Sequence, residues 1–325
     1  MQNKLLLVLL TVWAGCAGPS PEQSKNRNET QTQTEIPTIA YLDAFEDATI
    51  SRAKTGFLTA LKDKGYSEAQ KTLHVLYRNA QGDIPTLTQA CDYFIFEKVR
   101  CIATNTTLAT IAAIQKTKDI PVFMMVSPSP ALAGLTDAKG KAPSNLYGVF
   151  EVLEYIDTSV TLIKKLLPSA KKIGAIYNQS EPQSIKALEH LTRQARALHM
   201  EVKALPANNS SETQLVVESL LREHIDVFFA LPDNTVFASF ETIDKSCKAA
   251  NVPIFTSEAG LVQRGALAAF GADIYQWGYQ SGLQAATFLK QRSLKGLQPE
   301  LVKVRVKVFN EAVAKKFHLD LTHFK

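Results

Sequence analysis

From Thr38 onward, short apolar runs rich in β-branched and aromatic residues alternate with longer stretches in which apolar positions recur every third or fourth residue. The short runs predict strands and the longer stretches predict amphipathic helices. "TIAYL" (38–42) is a strand, "DAFEDAT" (43–49) a loop, and "ISRAKTGFLTALKDKG" a helix that Gly65 ends. "LHVLYRNAQGD" follows as strand and loop, then "DIPTLTQACDYFIFEK" as a helix with Pro85 in its first turn. "VRCIAT", "TTLATIAAIQKTK" and "IPVFMMVS" complete a strand, helix, strand series. The order then restarts with "KKIGAIYN", "SIKALEHLTRQARALH", "EVKALPA", "SSETQLVVESLLRE", "IDVFFALPD", "TVFASFETIDKSCKAAN" and "VPIFTSEA".

This alternation predicts parallel sheets with helices on both faces. "VRCIATNTTLATIAAIQKTKDIPVFMMVS" and "IDVFFALPDNTVFASFETIDKSCKAANVPIFTSEA" repeat the same strand, polar loop, helix and proline-led strand. The fold expected is therefore α/β, with two similar doubly wound parallel-sheet lobes joined by a multi-strand hinge. Crossings are expected near Leu146–Phe150 and Ala269–Asp273. The helix "IYQWGYQSGLQAATFLKQ" should return to the first lobe, and the strand "LVKVRVKVF" should cross again. The N-terminal lobe is expected over 36–147 plus about 274–300, and the C-terminal lobe over 148–273 plus about 301–325.

In open parallel sheets the binding crevice lies beyond the carboxyl ends of the strands. The loops 43–49, 79–83, 104–107, 127–130, 178–184, 231–234 and 256–259 should then meet at one cleft. Hydroxyls, amides and carboxylates dominate them, which suits a small zwitterion better than a phosphate or a metal. Thr106 and Thr107 open a helix whose uncommitted N–H groups and hydroxyls can hold a carboxylate, and Thr104 and Ser127 are further candidate ligand-binding residues. Asp233 and Glu258 are candidates to balance an ammonium group, and Asp43 and Ser257 are further candidate ligand-binding residues. Thr106 and Asp233 could equally be helix caps. Tyr41, Phe45, Tyr177 and Phe237 stand near strand ends, where an aromatic ring either stacks on a flat ligand or fills the core.

The N-terminus changes the address. "MQNKLLLVLLTVWAGC" has Lys4, an apolar run from Leu5 to Trp13 and small residues before Cys16. This is a secretory signal pattern over 1–15, about half the length of a membrane span. Ala14, Gly15 and Cys16 resemble the lipobox of bacterial lipoproteins, so lipidation is expected at Cys16, with ordinary cleavage of the signal as the alternative. Residues 16–35, rich in Gln, Thr, Asn and Pro, read as a flexible tether. The net charge of +5 over 325 residues is mild and no basic run interleaves with aromatics, so no nucleic-acid partner is expected. Cys91, Cys101 and Cys247 lie in apolar settings and read as buried thiols.

The segments "YRNAQGD" (77–83), "IPVFMMVSP" (120–128), "LLPSAKKIGAIYNQSEPQS" (166–184), "LPDNTV" (231–236) and "QRGALAAFGADIYQWG" (263–278) resemble the ABC transporter substrate-binding protein family that includes tryptophan and tyrosine binders. The resemblance covers nearly all of the chain after Ile36. It implies a periplasmic-binding-protein-like type I fold, an ABC permease as partner, a monomer, and no cofactor. It also implies that Asn178, Glu181, Ser184, Asp233 and Asn234 take a binding role by position. The family's usual Tyr-Asn-Pro-Gly-Glu-x-Asn-Ser loop carries Gln179, Ser180 and Gln183 here, and its Leu-Asp before the first helix appears as Ile50-Ser51.

Enzymatic readings find little support. There is no Gly-x-Ser-x-Gly turn and no Gly-x-Gly-x-x-Gly after a strand. "GLTDAKGKA" (134–142) misses the phosphate-loop spacing and ends in Ala142, which has no hydroxyl for magnesium. The six histidines lack ligand-like pairing, so no metal site is expected. The reading is therefore an extracytoplasmic, lipid-anchored solute-binding protein for an amino acid with a bulky or aromatic side chain. A ligand sensor that feeds a membrane receptor, or a lipid-anchored hydrolase, are the alternatives.

Overall fold

The computed structural model describes residues 35–324. The expected signal peptide, Cys16 and all but the last residue of the tether lie outside the described residues. Among the described residues no helix is long and apolar enough to cross a membrane.

Two six-stranded sheets carry the chain. The first is built on β1 (Thr38–Asp43), β2 (His74–Asn79), β3 (Ile102–Asn105), β4 (Val122–Met125) and β5 (Leu146–Phe150). The second is built on β6 (Lys172–Tyr177), β7 (Glu201–Pro206), β8 (Val227–Ala230), β9 (Ile254–Thr256) and β10 (Ala268–Ala272). Two late strands add one to each: β11 (Glu300–Leu301) pairs with β5, and β12 (Arg305–Phe309) with β10. The spatial orders, β2-β1-β3-β4-β5-β11 and β7-β6-β8-β9-β10-β12, are the same. All pairings are parallel except the antiparallel one of β10 with β12. The two-lobe doubly wound α/β reading therefore holds.

Helices α1 (Ser51–Asp63), α2 (Ile84–Phe96) and α3 (Thr107–Lys116) connect strands of the first sheet. Helices α4 (Tyr155–Leu166), α5 (Pro182–Ala197), α6 (Thr213–Leu221), α7 (Asn234–Ala238), α8 (Phe240–Ala249) and α9 (Ala259–Arg264) serve the second. Then α10 (Ile274–Gln291) returns to the first, and α11 (Glu311–Lys316) ends on the second. With helices on both faces, the central strands are buried throughout, which is why "VFMM" and "VFFA" are unbroken apolar runs. Helix α10 lies so close to α1 that a Cβ at Gly278 would stand 1.9 Å from the Ala53 carbonyl oxygen. A side chain there would force the helices apart.

Several elements differ from expectation. Leu146–Phe150 and Ala268–Ala272 are strands rather than crossings; the chain changes sheet just after each. "LVKVRVKVF" is not one strand: it breaks at 302–304, where the Val302 N–H donates to the Phe150 carbonyl and the Val304 carbonyl accepts from the Asp273 N–H. The expected helix from Thr235 is two, α7 and α8, meeting at Ser239. Helices α4, α9 and α11 were not foreseen. In α4 the buried Ile156, Val160 and Ile163 do have helical spacing, but Glu154 at its start makes no side-chain cap. The other two, at six residues each, are too short for periodicity to register.

Beyond β5, Glu151 at the first crossing accepts both arms of Arg305 at the third, with Nε–Oε2 2.9 Å and Nη2–Oε1 2.5 Å. The lobes also touch away from the hinge. Ile50 of the first lobe is fully buried in a cluster with Ile176, Phe237 and Phe240 of the second. A Cβ on Gly260 of α9 would come within 2.5 Å of the Thr49 methyl. The loop 43–50 is thus pressed against the opposite lobe.

Candidate functional site

Both sheets have the strand order in which a crevice opens at the switch between the first and third strands. An amide–carboxylate pair marks each switch. At the end of β1, Asp43 accepts from Asn105 Nδ2 at 2.7 Å, across to the end of β3. In the second lobe the Asn178 backbone N–H, beyond β6, donates to Asp233 Oδ2 at 2.7 Å, beyond β8. The loops after the strands converge on two spaces in the gap between lobes.

The inner space is narrow, comprising about 430 Å³ free of protein atoms when its mouth toward solvent is counted. Its apolar wall is formed by Trp277, Phe237, Tyr155 and Leu153, with Val126, Pro128 and Pro232. Its polar wall is Thr107, Ser127, Gln183, Asn234, Glu151 and Glu258. The Trp277 indole donates to the Val149 carbonyl at 2.8 Å, which fixes the ring. No lysine, arginine or histidine lines this space. The outer space, about 1500 Å³ and open, lies between Phe45, Gln81 and Ile84 on one side and Asn178, Asn208 and Thr235 on the other.

Two β-branched residues with positive φ border the inner space: Thr106 (φ 82°) after β3 and Val126 (φ 50°) after β4. Such backbone is strained for these side chains and is held by its surroundings; the Thr106 N–H donates to the Met125 carbonyl at 3.1 Å. Buried polar atoms are nearly always paired in folded proteins. Here Thr106 Oγ1, Gln183 Oε1, Ser257 Oγ and Glu258 Oε2 are buried without a partner among the described residues. Glu258 is only 3% exposed. Burial pushes its carboxyl well above the ordinary value of 4.5, and the charge of Glu151 pushes it the same way.

The expected site residues fall into three groups. Thr107, Ser127, Asn234 and Glu258 line the inner space, with Thr106 and Ser257 buried beside them in the chain. Phe45, Asn178 and Glu181 line the outer space. Thr104, Asp43, Ser184 and Asp233 face other protein groups. Thr104 Oγ1 pairs with Thr110 Oγ1 at 2.9 Å. Asp233 accepts from the Asn178 N–H, from the Ser184 hydroxyl and from the Val236 N–H at 2.9 Å, so its carboxylate is a helix cap with all its edges occupied.

Glu181 belongs to the same network: its Oε2 accepts from the Asn234 N–H at 3.1 Å, from Asn234 Nδ2 at 2.8 Å and from Gln183 Nε2. Burial, then the nearby charge of Asp233, pushes its carboxyl well above the usual range. This network stands between the two spaces. Of the aromatic candidates, Tyr41 is fully buried and bonds to Met125 Sδ, and Tyr177 packs on the core of the second lobe. Only Phe237 and Phe45 reach the gap.

A sequence profile described as ABC transporter substrate binding protein matches residues 38–323, nearly all of both lobes. The chain belongs to that family. This substrate binding protein is 35% identical over 249 residues to a tyrosine-binding protein of Clostridioides difficile (strain R20291), covering 77% of this chain and 71% of that one. It is similar to the crystal structure of an ABC domain in complex with L-Trp from Streptococcus pneumonia, with TM-score 0.81 and 23% identity over 88% of this chain and 96% of that one. It is also similar to the ligand-free, open structure of a substrate binding protein with adhesive properties from Clostridium difficile. There the TM-score is 0.66 and the identity 27%, over 89% of this chain and 97% of that one. The fold is of the periplasmic-binding-protein type I. A small-molecule ligand and an ABC permease partner follow from the family.

Glu151, Leu153, Tyr155 and Trp277 were not foreseen as lining. Trp277 was within reach: it stands one turn into the helix that follows a crossing, which points it back at the gap.

Proposed function

We propose that this substrate binding protein takes up an amino acid with an aromatic side chain in the inner space and presents it to an ABC permease for import. One observation carries the reading. Aromatic rings of Trp277, Tyr155 and Phe237 share a chamber with a carboxyl oxygen, Glu258 Oε2, that has no hydrogen-bond partner among the described residues. Rings favour a flat apolar side chain, and a buried carboxyl favours a cation. The relative named as a tyrosine-binding protein supports this ligand class.

Capture proceeds by closure. The lobes, 36–150 with 274–301 on the first sheet and 151–273 with 305–324 on the second, turn about the crossings, and ligand contacts to both lobes exist only when they are together. The better superposition on the L-Trp complex than on the open structure, 0.81 against 0.66, is what a closed arrangement gives. A lipid at Cys16 and the tether to Glu35 would hold the protein at the outer face of the membrane.

A thermal-shift screen of the purified protein against the common L-amino acids and simple sugars tests the reading. Tyrosine, tryptophan or phenylalanine should raise the melting temperature by several degrees at saturation, since a ligand that binds only the folded state stabilises it by mass action. A shift with sugars and none with aromatic amino acids would overturn it.

A further inference from the structure

We propose that Glu258 receives the ammonium group of the ligand and exchanges its own proton for it, so that each capture event releases a proton to solvent. The inference rests on the reading of the inner space as an amino-acid site, and goes beyond it in coupling capture to pH.

The geometry assigns the role by elimination among the carboxylates at the gap. Glu151 is held by both arms of Arg305 and by the Val152 N–H. Asp233 and Glu181 are occupied within their own network. Asp47 accepts from Arg264 and from the Thr49 and Ile50 N–H groups. Asp273 caps α10 through the Gln276 N–H. Glu258 alone among these lines the chamber with a buried oxygen that has no hydrogen-bond partner among the described residues, and the group acting to favour its ionised form is the neighbouring Ser257 hydroxyl, itself buried and unpaired.

The groups acting on Glu258 determine its charge. Glu151 from the first crossing, Asp47 from the loop before α1 and Asp273 at the start of α10 are all acidic. Tyr155 of α4 is buried and its hydroxyl is pushed far above its usual range, so it stays neutral. Arg305 is committed to Glu151, and Arg264 to Asp47 and Glu241. An ionised Glu258 would add one more negative charge to a buried acidic neighbourhood, so the carboxyl keeps its proton. An incoming ammonium reverses the balance: the carboxyl proton leaves to solvent, and the resulting carboxylate pairs with the cation. The new carboxylate and the ammonium cancel each other, so the chamber becomes more negative by one unit, the charge of the ligand's own carboxylate.

Calorimetric titration of the purified protein with L-tyrosine at neutral pH, in buffers of different ionisation enthalpy, tests this. Release of about one proton per ligand is expected, with affinity rising as pH rises. Glu258→Gln should abolish the release and weaken tyrosine by about 10- to 100-fold, while binding of 3-(4-hydroxyphenyl)propionate, which lacks the ammonium, should be weak to both forms. Tight tyrosine binding by the unmodified protein without proton release would overturn the inference and leave the amino-acid reading standing. Proton release that persists in Glu258→Gln would also overturn it. Failure of any amino acid to bind would remove the reading on which it rests.

Discussion

Arg264 of α9 reaches across the gap to Asp47 of the other lobe, Nη1 to Oδ2 at 2.6 Å, while its Nε and Nη2 hold Glu241 of its own lobe. Asp47 is almost wholly buried and its other oxygen accepts the Thr49 and Ile50 N–H groups, so this loop is ordered before the arginine arrives. The pair can form only when the lobes are together. Arg264→Ala is expected to weaken ligand binding by about 1–2 kcal/mol, a factor of about 5 to 30, and to raise the radius of gyration of the liganded protein in solution scattering. Equal affinity in the variant would show that the bridge contributes nothing to closure.

Asp233 is expected to stabilise the protein rather than contact the ligand, since its carboxylate accepts from Asn178, Ser184 and Val236. With three donors on its carboxylate, Asp233→Ala should cost about 2–4 kcal/mol of stability in chemical denaturation, combining a lost cap and stranded partners. The folded variant should still bind. A variant of unchanged stability that no longer binds would reverse this assignment.

Trp277 is the one tryptophan of the described residues, the other being Trp13. Ligand arrival in the inner space should change the intrinsic emission, and Trp277→Phe should abolish most of that change. Trp277→Ala should cost an aromatic ligand about 1–3 kcal/mol of affinity through lost ring contact. Emission indifferent to a ligand that calorimetry sees would place the ligand away from this ring.

The buried carboxyls make stability depend on pH in a definite sense. Glu258 and Glu181 are raised above their ordinary value of 4.5 by burial. The folded state therefore holds these protons more tightly than the unfolded chain does. Their stabilising contribution is complete below the ordinary carboxylate range and is lost as pH rises through the raised values. Glu258→Gln, which has no proton to lose, should gain in melting temperature relative to the unmodified protein as pH rises from 4.5 into the alkaline range. A difference that does not vary with pH would mean that Glu258 titrates normally.

The architecture was legible because buried parallel strands and amphipathic helices have distinct periods, and the repeat of 99–127 in 225–259 revealed the second lobe. That Glu258, Asn234 and Thr107 line the inner space was legible because loops beyond strand ends face the crevice. What could not be read was which polar side chains the protein satisfies internally. Asp233 and Glu258 occupy similar places after strands, yet Asp233 meets Ser184 and the Asn178 N–H from across the sheet while Glu258 Oε2 meets none. That difference depends on contacts distant in sequence. Glu151 escaped because it sits at a crossing, where strand period ends and no helix pattern has begun, and Trp277 because the helical pattern of 274–291 does not by itself say that its first turn faces the gap.

The most direct measurement is a crystal structure of the protein grown with L-tyrosine. The aromatic ring is expected against Trp277 and Phe237 in the inner space, with the ammonium about 3 Å from Glu258 Oε2. Tyrosine lodged in the outer space beside Phe45 and Asn208, or an ammonium paired with Asp233 instead, would contradict the central claim.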